Sequence, residues 1–526
     1  MNFKEVMALA KRRGIFQPAY EPYGGVAGLL DYGPIGVRLR RKILELWRQQ
    51  FVIETGALEL EGATIGPEAL FRASGHLSEF DDLVVECSEC KKLYRADRLI
   101  EGGDALGKKA LIAEVAKNTC GGCEGVLGMP RPFNLMFTTS IGAGRGAVGY
   151  LRPETAQGIF QAFPWLLRQN RGKLPLAAAQ VGRAFRNEIA PRQGPLRLRE
   201  FTQMEVESFF LPGAEADLPE NISEVVVSLL PGVSKAIEAP VSEALAKGII
   251  ASPQVATWLA RCCKFILDCG VPPEKLRFRQ HGQHEMAHYS SDCWDGEVKT
   301  SAGWIEVVGI AHRGDYDLRA HAIASGREMR VPVGGKSRLV EHWIPDRGAI
   351  GRKFKSAAKY ILEQLEDDVA PGVVVEVGGK KTELGVDCFT QKAVAEQEMA
   401  FPLVVEPSFG LDRLLYSILE TTWRSEGDRG WLALPEAIGP YVALVAPLMN
   451  RDGMRERARG VCGELRQRGV DVYFDGGGSI GRRYARADEI GVPLAITIDH
   501  QTMDDGTVTV RERDTMSQVR KSAERI

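Results

Sequence analysis

The 526-residue sequence predicts a multidomain α+β protein carrying a separate α/β domain at its C-terminal end. Three observations lead there. A chain of 526 residues exceeds what one hydrophobic core serves, so two to four domains are expected. Between 131 and 210, apolar runs broken by turns read as strands, the last two being "LAAAQVGRAFRNE" and "LREFTQMEVESFF". From about 438 the short apolar runs "YVALVAP", "DVYFD" and "VPLAITID" alternate with helical stretches, which is the pattern of a βαβ unit.

Composition bounds the function. With 44% hydrophobic and 26% charged residues and a net charge of -2, the chain is an ordinary globular protein. That balance argues against wholesale coating of nucleic acid and leaves a local basic face open. No apolar run reaches the length of a bilayer span, and "MNFKEVMALAKRRG" has no apolar signal core, so a cytoplasmic protein without membrane contact is expected. The ten scattered cysteines read as thiols or ligands rather than as a disulfide framework.

Taken in order, the chain opens with the Gly/Pro-rich "YEPYGGVAGLLDYGPIG". An amphipathic helix follows, with Leu39, Ile43, Leu46 and Trp47 on one stripe. Residues 86–130 hold paired cysteines. Cys87 and Cys90, then Cys120 and Cys123, make two C-x2-C knuckles, the spacing of a zinc ribbon with four thiolates; reduced thiols are the alternative. Residues 222–270 read as helical, and 319–400 as an inserted unit with one helix, "GRKFKSAAKYILEQLEDD". His281, His284, His288 and Cys293 invite a second metal, although satisfied core or surface histidines are the commoner outcome.

Charge is densest in "FRNEIAPRQGPLRLREFTQMEVESFF". Period-two alternation puts Arg186 and Glu188 on one face, and Glu205 and Glu207 on one face of the next strand. A cross-strand salt-bridge ladder would explain this blandly. A site for a polyanion that carries an amine explains it functionally, because arginine forks grip phosphate while carboxylates take amines or base edges. In "VVEPSFGLDRLLYSILE", Gly410 and Arg413 sit at a strand-to-helix transition, a seat for a terminal phosphate.

The Pro34 helix start, the "FRNE" strand–loop–strand and the "GLDR" strand–helix resemble, in that order, motifs 1, 2 and 3 of class II aminoacyl-tRNA synthetases. With "FRASGH", "LRPETAQGIF", "EMAHYSSDCWD" and "GWIEVVGIAHRGDYDL", nearly the whole chain resembles the homodimeric, class IIa glycyl-tRNA synthetases, closer to their archaeal and eukaryotic branch. Pro22, where that family usually has an aliphatic residue, is a departure.

The resemblance implies an antiparallel sheet flanked by helices, the class II synthetase fold. The core would comprise 1–85, 131–215, 281–318 and 401–435, interrupted by a ribbon at 86–130, a helical insertion at 216–280 and an α/β insertion at 319–400. An anticodon-binding domain would follow at 436–526. It implies a glycine–tRNA ligase that uses ATP with Mg²⁺, acts on tRNA(Gly) and forms a homodimer. Arg186, Glu188 and Arg413 would be catalytic. Asn187, Leu196, Arg199, Glu200, Phe201, Val307 and Gly410 would complete the ATP site, with Glu306 on Mg²⁺. Glycine would meet Arg72, Glu154, Phe201, Gln203, Glu205, Glu406, Ser408 and Gly410. Three carboxylates around one ammonium repel one another when empty, so the niche should favour a bound amine.

A competing motif lies near the C-terminus. Gly476, Gly478 and Gly481, with Asp499 ending the next strand, satisfy the dinucleotide fingerprint locally. The resemblance instead expects Arg482, Arg483 and Arg486 to meet RNA. A non-catalytic RNA-binding relative would be expected to lack Arg186, Glu188 or Arg413. A synthetase for another small amino acid would not need Glu154, Glu205 and Glu406 together.

Overall fold

A computed structural model describes residues 1–526 apart from 101, 104–105, 144–145, 192–193, 215, 233–234, 283–289, 366–368 and 524–526. His284 and His288 therefore lie outside the described residues. The chain divides into two compact units, Met1–Met329 with Pro402–Ile526, and Arg330–Phe401.

The first unit begins with helix α1 (Phe3–Arg12), whose Asn2 side chain and Glu5 form a capping box. Pro22 sits in the first turn of the short helical segment Glu21–Tyr23, where its missing N–H leaves nothing unpaired. Helix α2 (Pro34–Arg48) starts on its proline and buries Leu39, Ile43 and Trp47. Gly36 is required there, because a Cβ would collide with the Ile15 carbonyl oxygen.

Nine strands form the central sheet: β1 (Leu58–Glu59), β2 (Leu176–Phe185), β3 (Glu200–Phe210), β4 (Val226–Leu230), β5 (Ile237–Pro240), β6 (Leu276–Gln280), β7 (Asp292–Thr300), β8 (Gly303–Gly314) and β9 (Leu403–Gly410). Their spatial order is β5-β4-β6-β7-β8-β9-β3-β2-β1, and only the β2–β1 and β4–β6 pairings are parallel. The stretch 226–240, expected to be helical, supplies two of these strands; its β-branched run "VVVSLL" suits a buried sheet position better than a helix.

Alternation gives the sheet two unlike faces. Met204, Val206, Val308, Ile310, Val405 and Phe409 point into one apolar core, against helices α4 (Pro253–Asp268) and α5 (Leu411–Thr422). Helix α3 (Ala156–Gln169) meets the other face, with Phe163 against Phe209 at 4.9 Å between ring centroids. That second face carries Gln203, Glu205 and Glu207 on β3 and Glu406, Ser408 and Gly410 on β9. Glu205 is paired with Ser408, and Ser408 with Gly309 of β8.

Residues 81–134 add a small three-stranded sheet, Asp81–Glu86, Leu93–Arg95 and Arg131–Asn134, beside the two knuckles. The C-terminal segment has strands β10 (Ala443–Pro447), β11 (Val472–Phe474), β12 (Leu494–Ile498), β13 (Thr507–Glu512) and β14 (Gln518–Ser522) in the order β11-β10-β12-β13-β14. The first three are parallel, separated in sequence by helices α6 (Met454–Gln467) and α7 (Ile480–Glu489).

The second unit is a long hairpin, Val331–Pro345 with Phe389–Ala400, carrying a small core of Ile350, Ile361, Leu384 and Cys388. Its expected single helix is two, Arg347–Phe354 and Ala358–Gln364, because the backbone turns at Lys355 with φ 47°.

Candidate active site

A cleft of about 760 Å³ opens on the polar face of the sheet. Its lining gathers residues from four distant stretches: Arg186 and Glu188 after β2, Leu196–Phe201 leading into β3, Glu306–Gly309 of β8, and Ser408–Arg413 across the β9–α5 junction. Arg186 and Glu188 stand in the loop after β2, not on the strand, so the turn rather than strand alternation brings them together.

The two arginine heads are lightly held. Arg186 donates from Nε to the Pro153 carbonyl at 3.1 Å, and its guanidinium lies 5.4 Å from the ring centroids of both Phe80 and Phe201. Arg413, in the first turn of α5, donates to the Leu196 carbonyl at 3.0 Å and to Glu306 at 3.0 Å. Gly410 faces open space: a Cβ there would meet nothing within 4 Å. Glu188 pairs with Arg197 at 2.6 Å, and Arg197 lines the cleft, a residue the sequence reading missed. Gln203 lines the cleft with a buried Oε1 that has no hydrogen-bond partner among the described residues.

Deeper, the expected carboxylates converge. Glu205 accepts from Ser408 Oγ at 2.6 Å and from the Thr155 backbone N–H at 3.0 Å. Glu406 accepts from Arg313 at 2.6 Å, and Arg313 also reaches Asp317 at 2.8 Å and Glu154 at 3.8 Å. Glu154 further meets His76 at 3.5 Å and Gln157 at 2.9 Å. The acidic ring is therefore not bare when empty, because the fully buried Arg313, 5.1 Å from the Phe160 ring centroid, stands inside it. Neither Arg313 nor His76 was singled out from the sequence, although both lie in quoted stretches, "GWIEVVGIAHRGDYDL" and "FRASGH".

This crowding splits the acids. Burial would raise Glu154, yet His76, Arg313 and Gln157 hold it below the usual carboxylate range. Burial pushes Glu406 up to about 7 against the pull of Arg313, with Glu205 and Glu154 adding repulsion. Burial and the Glu154 charge raise Glu205, opposed by hydrogen bonds from Ser408 and Thr155. Glu207, fully buried with both oxygens unpartnered among the described residues, is held well above the usual range by burial and then by Glu406.

Besides the three deeper glutamates, four expected ligand residues lie outside the cleft lining. Arg72 pairs with Glu68 on its own helix, leaves 70% of its side chain exposed, and does not line the cleft. Arg199 spends its fork on backbone, donating to the Glu188 carbonyl at 3.0 and 3.3 Å and to the Ala27 carbonyl at 3.0 Å, so it fastens the loop after β2. Glu200 faces Arg183 across the strands at 3.5 Å. Asn187 is also outside the lining, with its backbone N–H on the Leu135 carbonyl. Asp412 lines the cleft and ties α2 to the site: it accepts the Thr202 N–H at 2.7 Å and pairs with Arg40 and Tyr32.

Cys87, Cys90, Cys120 and Cys123 offer sulfurs all within 4.8 Å of one another, with the two closest pairs at 3.5 and 3.6 Å. Four thiolates at a Zn–S distance of about 2.3 Å stand roughly 3.8 Å apart in a tetrahedron, so this donor set fits the ion. Each knuckle closes alike, the Lys91 and Glu124 N–H groups reaching back to the Cys87 and Cys120 carbonyls with positive φ at both residues. His281, Cys293 and Asp295 also lie together. There His281 Nε2 is 2.8 Å from Asp295, which Arg279 also holds at 2.9 Å, the arrangement of a buried ion pair.

The glycine-rich turn before α7 is filled by its own chain. Arg483 is buried and donates to the carbonyls of Gly478 at 2.6 Å, Gly476 at 3.0 Å and Pro447. Arg486 pairs with Asp475 at 2.7 Å. Asp499 caps the helix His500–Asp505 and holds Arg520. Arg483, buried on these carbonyls, is scaffold of the turn, while Arg482 stays exposed.

Residues 145–238 match the family profile described as "tRNA synthetase class II core domain (G, H, P, S and T)", and 442–526 match "Anticodon binding domain". The chain is 45% identical to the glycine–tRNA ligase of Methanothrix thermoacetophila across 100% of this chain and 96% of that one. It is 42% identical to the glycine–tRNA ligase of Methanocaldococcus jannaschii, covering 98% and 96%. Among solved structures it resembles Giardia lamblia prolyl-tRNA synthetase in complex with prolyl-adenylate, with a TM-score of 0.56 at 14% identity over 99% of this chain and 74% of that one. It also resembles prolyl-tRNA synthetase from Cryptosporidium parvum, with a TM-score of 0.55 at 10% identity over 99% and 72%. At such identities these two likenesses concern the fold alone.

Proposed function

The chain belongs to the glycine–tRNA ligases, and from that membership we propose how its cleft divides the work. The enzyme activates glycine with ATP and passes the glycyl group to tRNA. Neither step needs a nucleophilic side chain. A glycine carboxylate oxygen attacks the α-phosphorus, the bond to the β-phosphate oxygen breaks and pyrophosphate leaves. A ribose hydroxyl of tRNA then attacks the activated carbonyl, and AMP leaves. Alignment and neutralisation of charge carry most of such a reaction.

Arg186 grips the α-phosphate and Arg413 the γ-phosphate, bidentate forks at opposite ends of one polyanion. Phe201 stacks on adenine, Glu188 accepts from its exocyclic amine, and Leu196 and Val307 close the apolar sides. Gly410 lets the phosphates approach the backbone. Glu306 is a rim carboxylate beside Arg413, the kind of single oxygen ligand Mg²⁺ takes together with phosphates. Bound there with ATP, the ion neutralises phosphate charge. Glu205, Glu406, Ser408 and the unpartnered Gln203 oxygen receive the glycine ammonium, and Glu154, held ionised by His76 and Arg313, completes the field. Arg313 keeps the acids from repelling one another apart. Larger amino acids are refused by clash at Cα.

The four cysteines hold a structural Zn²⁺, whose closed thiolate shell leaves no position for catalysis. A homodimer is supported by the exposed apolar residues ahead of α2, including Tyr20, Val26 and Tyr23, the last 89% exposed.

The observation that carries this reading is the convergence of Arg186, Gly410 and Arg413 from distant stretches on one cleft, with the buried Glu205 held by the cleft-lining Ser408, and Glu406 and Glu154 joined through Arg313. Pyrophosphate exchange tests it: glycine should drive exchange, and alanine, serine and proline should not. Exchange independent of glycine would overturn the assignment of the niche. Metal analysis of the purified chain should return one zinc per chain, and its absence would remove the zinc.

A further inference from the structure

Behind the glycine niche runs a buried polar chain that does not reach the cleft surface. Gln157, in the first turn of α3, and His321, in the helix Tyr316–Ser325, are 1% and 4% exposed, and neither lines the cleft. They meet across 164 positions of sequence. A buried polar group costs stability unless it finds a partner, so each of their hydrogens has to be accounted for.

The Gln157 amide is fixed from both ends. Its Nε2 donates to Glu154 Oε1 at 2.9 Å and to Asp317 Oδ1 at 3.0 Å. Two N–H bonds thus meet two carboxylate oxygens, and turning the amide over would aim its oxygen at both acids. The amide oxygen therefore faces the other way, 2.8 Å from His321 Nε2. An amide oxygen only accepts, so Nε2 carries the ring hydrogen. Burial lowers the His321 pKa against the pull of Asp317, and His76 and Arg313 add to the lowering. A neutral ring has one hydrogen to give, and the amide decides which nitrogen holds it.

Glu154 has a second arm of the same build. His76 Nε2 stands 3.5 Å from Glu154 Oε2, and His76 Nδ1 is 2.8 Å from Ser74 Oγ. One oxygen of Glu154 is addressed through Gln157 and the other through His76. Arg313, 3.8 Å from Oε1, supplies charge without a hydrogen bond. The Gln157 arm is the closer contact. The terminal torsion of a glutamate is broad, so the carboxylate plane is set by its partners and not by its own rotamer.

We propose that His321 is a positioning residue for glycine: its N–H locks the Gln157 amide, and the amide holds Glu154 in the orientation that serves the ammonium. The inference rests on the reading of Glu154 as part of the glycine niche and deepens it, since His321 acts on the amino acid without touching it. A histidine kept only to fill space acts through its volume. One kept for its N–H acts through a donor, and substitution tells the two apart.

Three full-length variants make the test, each checked by thermal melting against wild type. His321→Leu keeps the bulk and removes the donor. His321→Gln returns an N–H near the place of Nε2. Gln157→Glu keeps the shape and cannot supply both N–H groups. In pyrophosphate exchange the KM for glycine should rise at least about tenfold in His321→Leu and Gln157→Glu, the size of a lost hydrogen bond to a charged group. The KM for ATP should stay within about twofold, kcat should move less than the KM for glycine, and His321→Gln should recover most of the loss. A wild-type KM for glycine in His321→Leu or in Gln157→Glu overturns the proposal. So does an equal rise in the KM for ATP, which would mark a general distortion of the core. So does a His321→Gln variant no better than His321→Leu, which would deny the donor its role. Glu154→Gln with the wild-type KM for glycine would instead remove the reading beneath it.

Discussion

Two arginine-rich turns of this molecule look alike in sequence and differ in what their guanidinium groups touch. In the catalytic cleft, Arg186 makes one hydrogen bond to backbone and rests near two aromatic rings, while the part-exposed Arg413 meets two carbonyls, of Leu196 and Glu306, and the rim carboxylate of Glu306. In the glycine-rich turn before α7, Arg483 is buried with three carbonyls on its fork. A guanidinium has five N–H donors. Where backbone carbonyls take the buried terminal N–H groups, as for Arg483, whose Nε stays without a partner among the described residues, the residue is part of the scaffold; where the head faces an open cleft, it awaits an anion. Arg199 obeys the same rule inside the catalytic region, since its carbonyl partners remove it from the ligand surface.

The sharpest way to break this comparison is to delete a head from each side. Arg413→Ala should lower glycine-dependent pyrophosphate exchange by about 10³-fold, the cost of losing a preorganised charge at the transferring phosphates, while the melting temperature barely moves. Arg483→Ala should do the reverse. It leaves three buried carbonyls without their donor, so the C-terminal domain should lose about 2–4 kcal/mol in urea unfolding while exchange stays within about twofold. If Arg483→Ala abolished exchange at unchanged stability, burial on backbone carbonyls would not mark a scaffold residue. Arg313 belongs to both categories: it lies in the site yet is fully paired. Arg313→Met should cost about 3–5 kcal/mol by leaving Glu154, Glu406 and Asp317 without their cation, and should raise the KM for glycine as well.

The acids give a smaller, pH-dependent test. Glu406 in the empty cleft ionises only near about 7, because burial and its acidic neighbours oppose the charge. An acid raised on folding contributes stability that is complete below its ordinary unfolded value and is lost as pH rises through about 7. Glycine's ammonium favours the ionised form. The KM for glycine should therefore fall as pH rises, by up to about tenfold between pH 6 and pH 8, and level off above. A KM that rose over that interval would place the ammonium elsewhere.

Much of the cleft was legible in the sequence because its parts sit where short-range rules place them. Gln203, Glu205 and Glu207 share a face by strand alternation, Gly410 and Arg413 flank a strand-to-helix junction, and paired cysteines announce a knuckle. What was not legible is which charge meets which. Arg313 reaches Glu406 across 93 positions, and His76 reaches Glu154 from a helix that no local pattern orients toward the site. Arg72 and Arg199 were expected on substrate, but the first was taken by Glu68 one helical turn away and the second by carbonyls. Carbonyl partners leave no mark in a sequence, since every residue has one. The stretch 226–240 shows the same limit at the level of the fold, where pairing with β6 overrides a local helical reading.

The last test is the gentlest, and it sets an exposed arginine against one buried on carbonyls within a single helix. Arg482 and Arg483 are neighbours at the start of α7, so charge, helix position and distance from the cleft are nearly matched. Only their surroundings differ, Arg483 being buried on carbonyls and Arg482 exposed. Arg482→Ala should leave melting and glycine-dependent exchange unchanged, because it deletes no buried bond and stands outside the cleft. Its effect should appear only with tRNA, as a two- to threefold rise in the KM for tRNA and a salt dependence shallower by about one unit of slope, the signature of one phosphate released from its cation. If Arg482→Ala and Arg483→Ala produced the same profile, neither burial nor carbonyl partners would predict which arginines bind RNA, and the contrast between the two turns would fail.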